Sequence, residues 1–471
     1  MLTSLHGRTR QYNLLAALVI AVVLALAFFL GQRASMFWLG LLLAGMVGLI
    51  LLRQPVLGLF FIVESALFIP IEFGTGTEVK LNLVTLLVPA IAALWFLDML
   101  RRGRIQFATS IVNLPLFLFV LSNFLSLWIG RVTWDPFVSV GRAFILVQLA
   151  QWGILAFSAF AFWLSANLVP NGRWLHWLVW AFLLSAGSIA IVQLIPGTSA
   201  VLKQITTIAF IRAPLWALLA GMAGGQLLFN RSLNTFARVF LILSLAATIY
   251  YCFILEKDGV SNWIGVSAAF SMLGWLRFPR LRWLAALIVV VLIVLGILLP
   301  SVYQFAGGDT EWTVSGLSRL ALTRRVLEVT MHNPITGLGP AAYRVYAAMQ
   351  PLQISEARAW VGAVVSSHNN YVDLFAHGGL VALIFFVWFL VATARLGMRL
   401  HNRYFEGFEA GYVNGVIAAG AASLVLMLFA DWILPFVYNI GFPGFQASIL
   451  IWLFLGGLVA LENMPQTQAD K

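Results

Sequence analysis

The chain has 471 residues, of which 62% are hydrophobic and only 10% are charged, and its formal net charge at pH 7 is +11. This balance excludes a water-soluble globular protein, in which roughly a quarter of the residues carry a charge. The sequence therefore predicts an integral membrane protein.

Apolar runs long enough to cross a bilayer of about 30 Å recur along the whole chain. Because lipid-facing backbone must satisfy its own hydrogen bonds, and the runs lack strand-like alternation, they predict an all-α polytopic bundle. We expect about fourteen spans, with twelve as the lower limit. The first run is interpreted as a retained helix and not a cleaved signal peptide. The third and tenth are short enough to be broken or re-entrant. The predicted spans lie near residues 13–30, 36–52, 55–71, 81–100, 112–129, 143–166, 174–195, 213–229, 239–255, 263–277, 283–300, 371–393, 409–432 and 444–461.

The distribution of basic residues predicts the orientation of these spans. With the N-terminus in the cytosol, sixteen of the 28 Lys and Arg residues fall on the cytosolic side, and that side carries the whole formal charge of +11. An even number of spans then places both termini in the cytosol. The same asymmetry explains the basic composition without nucleic-acid binding.

The sequence predicts three consecutive regions: spans one to eleven in residues 1–300, one long outer loop in residues 301–366, and the last three spans in residues 367–471. Within the loop, Ser318 to Met331 has apolar and basic residues at helical spacing, and NPITGLGP ends that helix. A second short helix is expected around Ala341 to Gln350. Long ordered loops are usually functional, so this loop is expected to contribute to a site.

The stretch SSHNNYVDLFAHGGL, residues 366–380, places polar side chains at the start of the twelfth predicted span. Asn369, Asp373 and His377 are spaced four residues apart and form one stripe on a helix, with His368 at the outer lip. Polar groups at membrane depth are costly unless they face a wet cavity or one another, so the stripe predicts a functional site. Two alternatives stay open: Asp373 pairs with His377 to join helices, and His368 with Asn369 caps the helix.

Several basic side chains fall on the same outer side of the membrane. Because arginine binds phosphate through two parallel charge-assisted hydrogen bonds, their convergence predicts a phosphate-bearing ligand. For each of these residues, contact with a lipid headgroup or a surface ion pair is the alternative. The basic residues are Arg212, Lys257, Arg319, Arg324, Arg325 and Arg344, with Asp258 beside Lys257.

The single cysteine, Cys252, lies in an apolar run and is expected to be a packing residue.

The stretch HNNYVDLFAHGGLVAL resembles the signature of the bacterial O-antigen ligase and polymerase family. That signature runs His-Asn-x-Tyr-Leu, then Glu-x-Gly, at the start of a late transmembrane helix. The upstream SRLALTRRVLEVTMHNPITGLGPAAY is similar to the loop pattern of the family, an Arg-bearing helix, a Pro-containing turn and Gly-x-Gly. The chain departs from the pattern in three places: His377 stands for Glu, Ala382 for a later Gly, and EKDGVSNW for a Ser-Arg-Gly motif, with Lys257 in place of the arginine.

The resemblance implies a glycosyltransferase of lipopolysaccharide biosynthesis, with glycosyltransferase C-like architecture, in the bacterial inner membrane. Its active site faces the periplasm. The implied donor is a glycan linked to undecaprenyl pyrophosphate, which is transferred en bloc, with inversion, to an acceptor hydroxyl such as that of the lipid A core or another glycan. Membrane lipids are the remaining expected partners, and no cofactor is expected.

The resemblance also implies roles for individual residues. His368 acts as the general base, since imidazole has a reference pKa of about 6.5. Asn369 and Tyr371 position His368 or the acceptor, and Asp373 and His377 support them. The donor pyrophosphate is held by Arg212, Arg319, Lys257, Arg324 and Arg344.

Three alternatives concern metal, acceptor and class. The outer acidic pair Asp309 and Glu311 lies in a Gly-Gly-Asp stretch typical of a plain turn, so catalysis without a metal is predicted. A polymerase of the same fold would move the chain onto the next lipid-linked unit; the long loop with its basic helix favours the ligase. A flippase or other transporter would build its site at the bilayer midplane, whereas the polar groups here lie at the outer lip.

Overall fold

The structure is a computed structural model. It describes residues 45–46, 48–76, 79–198, 201–202, 206, 212–256, 259–283, 322–348 and 367–465. The chain divides into two compact units, Met1–Pro55 and Val56–Lys471. In the first unit, residues 48–53 are helical. All features discussed below belong to the second unit.

The second unit is built from helices, with one small antiparallel hairpin of Glu72–Gly74 and Lys80–Asn82. A π-helical turn, Tyr251–Leu255, follows the helix Thr235–Tyr250, and a 3-10 turn, Pro279–Leu281, follows the helix Val260–Arg277. The helices are α1 Leu57–Phe68, α2 Leu83–Arg102, α3 Asn113–Val132, α4 Phe144–Leu168, α5 Gly172–Gln193, α6 Ala213–Phe229, α7 Thr235–Tyr250, α8 Val260–Arg277, α9 Tyr343–Ala348, α10 Asn370–Arg403, α11 Phe408–Phe429 and α12 Gly441–Asn463. Residues 322–330 are also helical and are called the loop helix below.

Eight helices in the described part of the chain are long and apolar enough to cross a membrane, and α1 and α6 are shorter apolar helices. The prediction of an α-helical, multi-pass membrane protein is confirmed. The number fourteen, the cytosolic termini and the three-region division stay predictions. The predicted span 13–30, most of the spans 36–52 and 283–300, and most of the loop 301–366 lie outside the described residues.

Helices α6 and α11 pack antiparallel through glycines. A Cβ atom on Gly225 would overlap the carbonyl oxygen of Gly411, and one on Gly221 would lie 2.7 Å from the carbonyl oxygen of Gly415. Small residues let two transmembrane backbones approach closely, which increases their van der Waals contact. The contact brings the start of α6, at Arg212, next to the end of α11.

Chain segments from distant parts of the sequence meet at one end of the bundle. The Asn82 side chain donates to the carbonyl oxygen of Phe442 at 2.7 Å, and the Tyr346 hydroxyl accepts from the N–H of Asp135 at 3.0 Å. We call this end the site face; it comprises residues 69–76, 79–82, 131–143, 331–346, 367–370 and 430–441 together with Arg212. At the opposite face, Arg231 pairs with Glu406, and Arg399 pairs with Glu462, each at 3.0 Å.

Candidate functional site

The segment that opens α10 folds into a hydrogen-bonded cap. Asn369 is the N-cap residue: its side-chain oxygen accepts from the N–H groups of Tyr371 and Val372 at 3.0 and 3.3 Å. One oxygen of the buried Asp373 carboxylate accepts from the Ser367 hydroxyl and N–H at 2.7 and 3.2 Å. The capping role of Asn369, left open by the sequence, is therefore present. The cap leaves His368 at the entrance of the helix in a left-handed conformation, with φ of 52°.

Helix α10 is broken at Gly379, whose φ of 66° and ψ of −168° are not helical. A break of this kind leaves backbone donors and acceptors without their helical partners. Four of these groups bond to the turn 334–339. The carbonyl oxygens of Ala376 and His377 accept from the N–H groups of Leu338 and Gly339 at 2.9 and 3.1 Å. The N–H groups of Leu380 and Val381 donate to the carbonyl oxygens of Pro334 and Ile335 at 2.9 and 3.1 Å.

This junction requires glycine on both sides. A Cβ atom on Gly337 would overlap the carbonyl oxygen of His377, and one on Gly379 would overlap the carbonyl oxygen of Ile335. Gly337 also has a positive φ of 77°. The hydroxyl of Ser126 on α3 adds a further bond to the carbonyl oxygen of His377, at 2.6 Å. The NPITGLG and HGG motifs therefore form one structural unit, which fixes the chain after the loop helix to the segment that follows His368.

The loop between α11 and α12, residues 430–440, is largely buried at the site face. A buried loop needs partners for its backbone, and side chains provide them here. The Asn370 side chain accepts from the N–H groups of Ile433 and Leu434, both at 3.2 Å, and donates to the Leu434 carbonyl oxygen at 2.7 Å. Gln151 on α4 accepts from the Val437 N–H at 2.7 Å. These bonds hold the loop beside the start of α10.

Asp431 is the charged residue in this loop. It is 1% exposed, and its two oxygens accept from the Phe436 N–H at 3.0 Å and the Asn439 side chain at 2.7 Å. Burial raises the pKa of Asp431; the hydrogen bond from Phe436 and the charge of His368 act in the opposite direction. The imidazole of His368 and the carboxylate of Asp431 thus lie within electrostatic reach of each other.

Two arginines face aromatic rings of the same loop. The guanidinium carbon of Arg212 lies 5.4 Å from the ring centroid of Trp432, and that of Arg344 lies 4.2 Å from the ring centroid of Tyr438. A guanidinium group stacked on an aromatic ring is held in a defined position. One loop therefore positions cationic groups from two distant parts of the chain.

The loop helix presents its two central arginines differently. Arg324 is directed outward, with its side chain 83% exposed, and pairs with Glu328 at 2.9 Å. The Arg325 side chain is only 13% exposed; it lies 3.8 Å from the same Glu328 carboxylate, and its charge also acts on Tyr343. Burial raises the pKa of Tyr343 to about 12. The positive charge of Arg325 lowers this pKa, whereas the negative charge of Asp373 raises it. Arg325, and not Arg324, is therefore the residue of this pair that approaches the polar cluster.

The predicted site residues fall into three groups. The structure gathers His368, Asn369, Tyr371 and Asp373 around the start of α10, with Arg212 and Arg344 on the rings of the adjacent loop. Tyr371 donates through its hydroxyl to the Leu424 carbonyl oxygen at 3.0 Å. Arg324 lies on the outer side of the loop helix. The remaining predicted site residues are Arg319 and Lys257, which lie outside the described residues. Asp258 and the acidic pair Asp309 and Glu311, considered above as a metal site, lie outside them too.

His377 is a separate case. Its ring stacks on Phe436, with the centroids 5.0 Å apart and an interplanar angle of 29°. Asp373 bonds to Ser367 and not to His377, so the alternative in which these two side chains pair is not realised. Instead, His377 packs the helix break against the buried loop.

Sequence reasoning missed Asn370 and Asp431. Asn370 stands between two residues that were singled out, and an amide at the start of an apolar run was a signal for it. Asp431 falls at the end of the predicted span 409–432, and an acidic residue inside the apolar stretch LFADWIL is itself a functional-site signal. The sequence alone does not indicate which backbone groups Asn370 and Asp431 contact.

Comparison with known proteins finds one family resemblance. Residues 241–387 match the family model described as O-antigen ligase. This region of the chain is therefore similar to that family. The match covers the region from α7 to the first part of α10, including the loop helix, the junction and His368, and it confirms the family resemblance. Members of this family are glycosyltransferase-like enzymes of the ligase and polymerase type. No curated protein matches the sequence.

Replacing Asp431 with asparagine is expected to lower activity without lowering stability. Burial raises the native-state pKa of Asp431 above the ordinary carboxyl value of 3.8. Between those two pKa values the native state binds more protons than the unfolded state, so the wild-type free energy of unfolding falls as pH rises through this window. Because asparagine does not titrate, the Asp431→Asn variant lacks this fall in the free energy of unfolding. Thermal unfolding from pH 4 to pH 8 should show a smaller decrease for the variant, with a melting temperature at pH 8 equal to or above that of wild type.

The control for this prediction is Asp135→Asn, because Asp135 is also on the site face but is not the buried partner of His368. The control should retain transfer activity. A variant Asp431→Asn that melts below wild type over the whole pH range would contradict the argument, because the charge would then stabilise the fold.

Proposed function

We propose that the protein is a membrane glycosyltransferase of the O-antigen ligase type. It transfers a glycan en bloc from undecaprenyl pyrophosphate to an acceptor hydroxyl, such as one on the lipid A core, at the periplasmic face of the bacterial inner membrane. The observation that carries this proposal is that three groups meet at one loop, residues 430–440. His368 interacts electrostatically with Asp431 of this loop. Arg212 and Arg344 stack on its rings, Trp432 and Tyr438 respectively. The family match supports the reaction class.

The proposed reaction has one bond-forming and one bond-breaking event. The acceptor oxygen attacks the anomeric carbon of the donor sugar, and the bond from that carbon to the pyrophosphate oxygen breaks, with its electron pair going to the pyrophosphate. Imidazole at position 368 accepts the proton of the attacking hydroxyl, and Asp431 stabilises the resulting imidazolium. Attack opposite the leaving group inverts the anomeric centre.

The leaving pyrophosphate is the group that gains negative charge. Preorganised donors aimed at developing charge in a water-poor site are worth several kcal/mol each, typically about 3 kcal/mol. Arg212 and Arg344 suit this role, because the rings of Trp432 and Tyr438 hold their guanidinium groups before the substrate arrives. The Arg325 side chain, which is 13% exposed and acts on Tyr343, is the third cation of the described site.

Transfer assays with separated substrates test the function. Purified protein is incubated with a lipid-pyrophosphate glycan, first alone and then with lipid A core. A ligase is expected to leave the donor unchanged in the first reaction and to produce glycosylated core in the second. Lengthening of the lipid-linked glycan without core would instead identify a polymerase, and absence of any transfer with either acceptor would remove the enzyme proposal.

Replacing Arg212 with alanine tests the pyrophosphate site. We expect the KM for the donor to rise at least about tenfold, because each charge-assisted contact to phosphate is worth roughly 1.5–3 kcal/mol. Activity should also become more sensitive to salt. The matched control is Arg142→Ala, since Arg142 is an exposed arginine of the same site face. Equal kinetics for Arg212→Ala and Arg142→Ala would contradict the role of Arg212.

A further inference from the structure

A second arginine-rich surface lies at the opposite face, where α8 ends. Its sequence is WLRFPRLRW, residues 275–283, in which three arginines alternate with aromatic and apolar residues. The helix ends at Arg277, and the 3-10 turn Pro279–Leu281 then redirects the chain. This surface, called the α8 terminal segment below, has no part in the site described above.

Two of its arginines are held against aromatic rings. The guanidinium carbon of Arg277 lies 5.7 Å from the ring centroid of Phe229 at the end of α6. Arg282 folds back over the last turn of α8: its Nε donates to the Trp275 carbonyl oxygen at 2.8 Å, and its guanidinium carbon lies 5.7 Å from the Trp275 ring centroid. Stacking restricts these side chains while leaving N–H groups at the guanidinium edge available to bind an anion.

The charges of this segment are not neutralised within the described part of the chain, where Arg277, Arg280 and Arg282 pair with no carboxylate. Other arginines of the same face do form such pairs. Arg101 and Arg102 both bind Asp98, at 2.9 and 2.7 Å. The α8 terminal segment therefore concentrates three positive charges within six residues.

The exposed aromatic residues of the segment indicate the environment of these charges. Trp283 is 83% exposed and Phe278 is 48% exposed. Tryptophan rings at the ends of transmembrane helices lie at the level of the lipid headgroups, where an apolar ring meets a polar layer. The guanidinium groups next to them therefore lie at the same level as the phosphates of the bilayer.

From these contacts we infer that the α8 terminal segment binds the phosphate headgroup of an anionic phospholipid. Clusters of arginine next to the end of a transmembrane helix attract anionic lipids, and the fixed guanidinium groups of Arg277 and Arg282 provide a defined phosphate position. Arg280, which is exposed, adds charge beside it. The inference does not depend on the proposed transferase activity.

The test measures the binding of phosphatidylglycerol to the purified full chain in a neutral detergent, by native mass spectrometry and thermal shift. Wild type is expected to bind phosphatidylglycerol more tightly than phosphatidylcholine. The double variant Arg277→Gln/Arg280→Gln keeps the Arg282 bond to the end of α8. Each lost arginine should weaken phosphatidylglycerol binding about fivefold, so the double variant should bind about 25-fold more weakly.

The matched control is Arg101→Gln/Arg102→Gln, which removes the same charge from the same face at an ion-paired position. It should bind phosphatidylglycerol within about threefold of wild type, because exposed ion-paired residues offer little net attraction. The inference is overturned if the two double variants lose affinity equally, or if wild type does not distinguish the two lipids. It is also overturned if soluble glycerol phosphate stabilises the protein as well as phosphatidylglycerol does at equal concentration.

Discussion

Replacing His368 with alanine is expected to lower glycan transfer by about 10² to 10⁴-fold, the range typical for loss of a positioned general base. The two buried carboxylates of this region are already engaged by other groups. The Asp431 carboxylate is buried and bonded to Phe436 and Asn439, and the Asp373 carboxylate is bonded to Ser367. The measurement is single-turnover transfer by purified variant protein, with donor binding determined separately.

Donor binding distinguishes loss of the base from loss of the site. Because Arg212 and Arg344 are positioned by rings of the loop 430–440 and not by His368, the variant should bind the lipid-pyrophosphate donor within about twofold of wild type. The control is His332→Ala, a histidine of the same face whose ring nitrogen is 2.9 Å from the Val329 carbonyl oxygen. Full transfer by His368→Ala would refute the assignment of the base.

The predicted spans and the observed helices agree where the signal is local. The runs near 112–129 and 143–166 correspond to Asn113–Val132 and Phe144–Leu168, because a continuous apolar segment of about twenty residues has few other ways to satisfy its backbone in lipid. The short third run is a helix of only twelve residues, Leu57–Phe68, which continues into a hairpin. Its length followed from the sequence; the hairpin did not.

The break at Gly379 could not be predicted in this way. The run 371–393 is uninterrupted in hydropathy, and the bonds that stabilise the break come from residues 334–339, across a long stretch of intervening chain. The motif NPITGLG indicates a turn, and HGG belongs to the stretch that resembles the family signature. Neither motif indicates that the two bond to each other. Such non-local pairing depends on the packing of the whole bundle.

The site was predictable in its parts and not in its assembly. His368, Asn369, Asp373 and the outer arginines were found because polar residues are rare in apolar surroundings. Their common partner, the loop 430–440, was hidden because its sequence is almost as apolar as the spans around it. Its backbone is satisfied by Asn370 and by Gln151, which lies 286 positions from Val437. Only the folded chain brings these amides to that loop.

Replacing Gly379 with alanine is expected to destabilise the protein by roughly 3 kcal/mol or more. The conformation with φ of 66° and ψ of −168° is essentially restricted to glycine and costs other residues about 1–3 kcal/mol. In addition, the new methyl group would overlap the carbonyl oxygen of Ile335 and the nitrogen of Gly337, and both are backbone atoms that cannot rotate away. Thermal unfolding of detergent-solubilised protein measures the effect.

The matched control is Gly274→Ala in α8, where a Cβ atom meets nothing within 4 Å. Alanine at such a helical position should leave stability unchanged or raise it by about 0.4–1 kcal/mol. Because the junction bonds the turn after the loop helix to the segment after His368, Gly379→Ala should also lower transfer in the fraction that still folds. Melting temperatures that match between Gly379→Ala and wild type would show that α10 can continue through the junction as a regular helix, and the coupling of the two motifs would then be wrong.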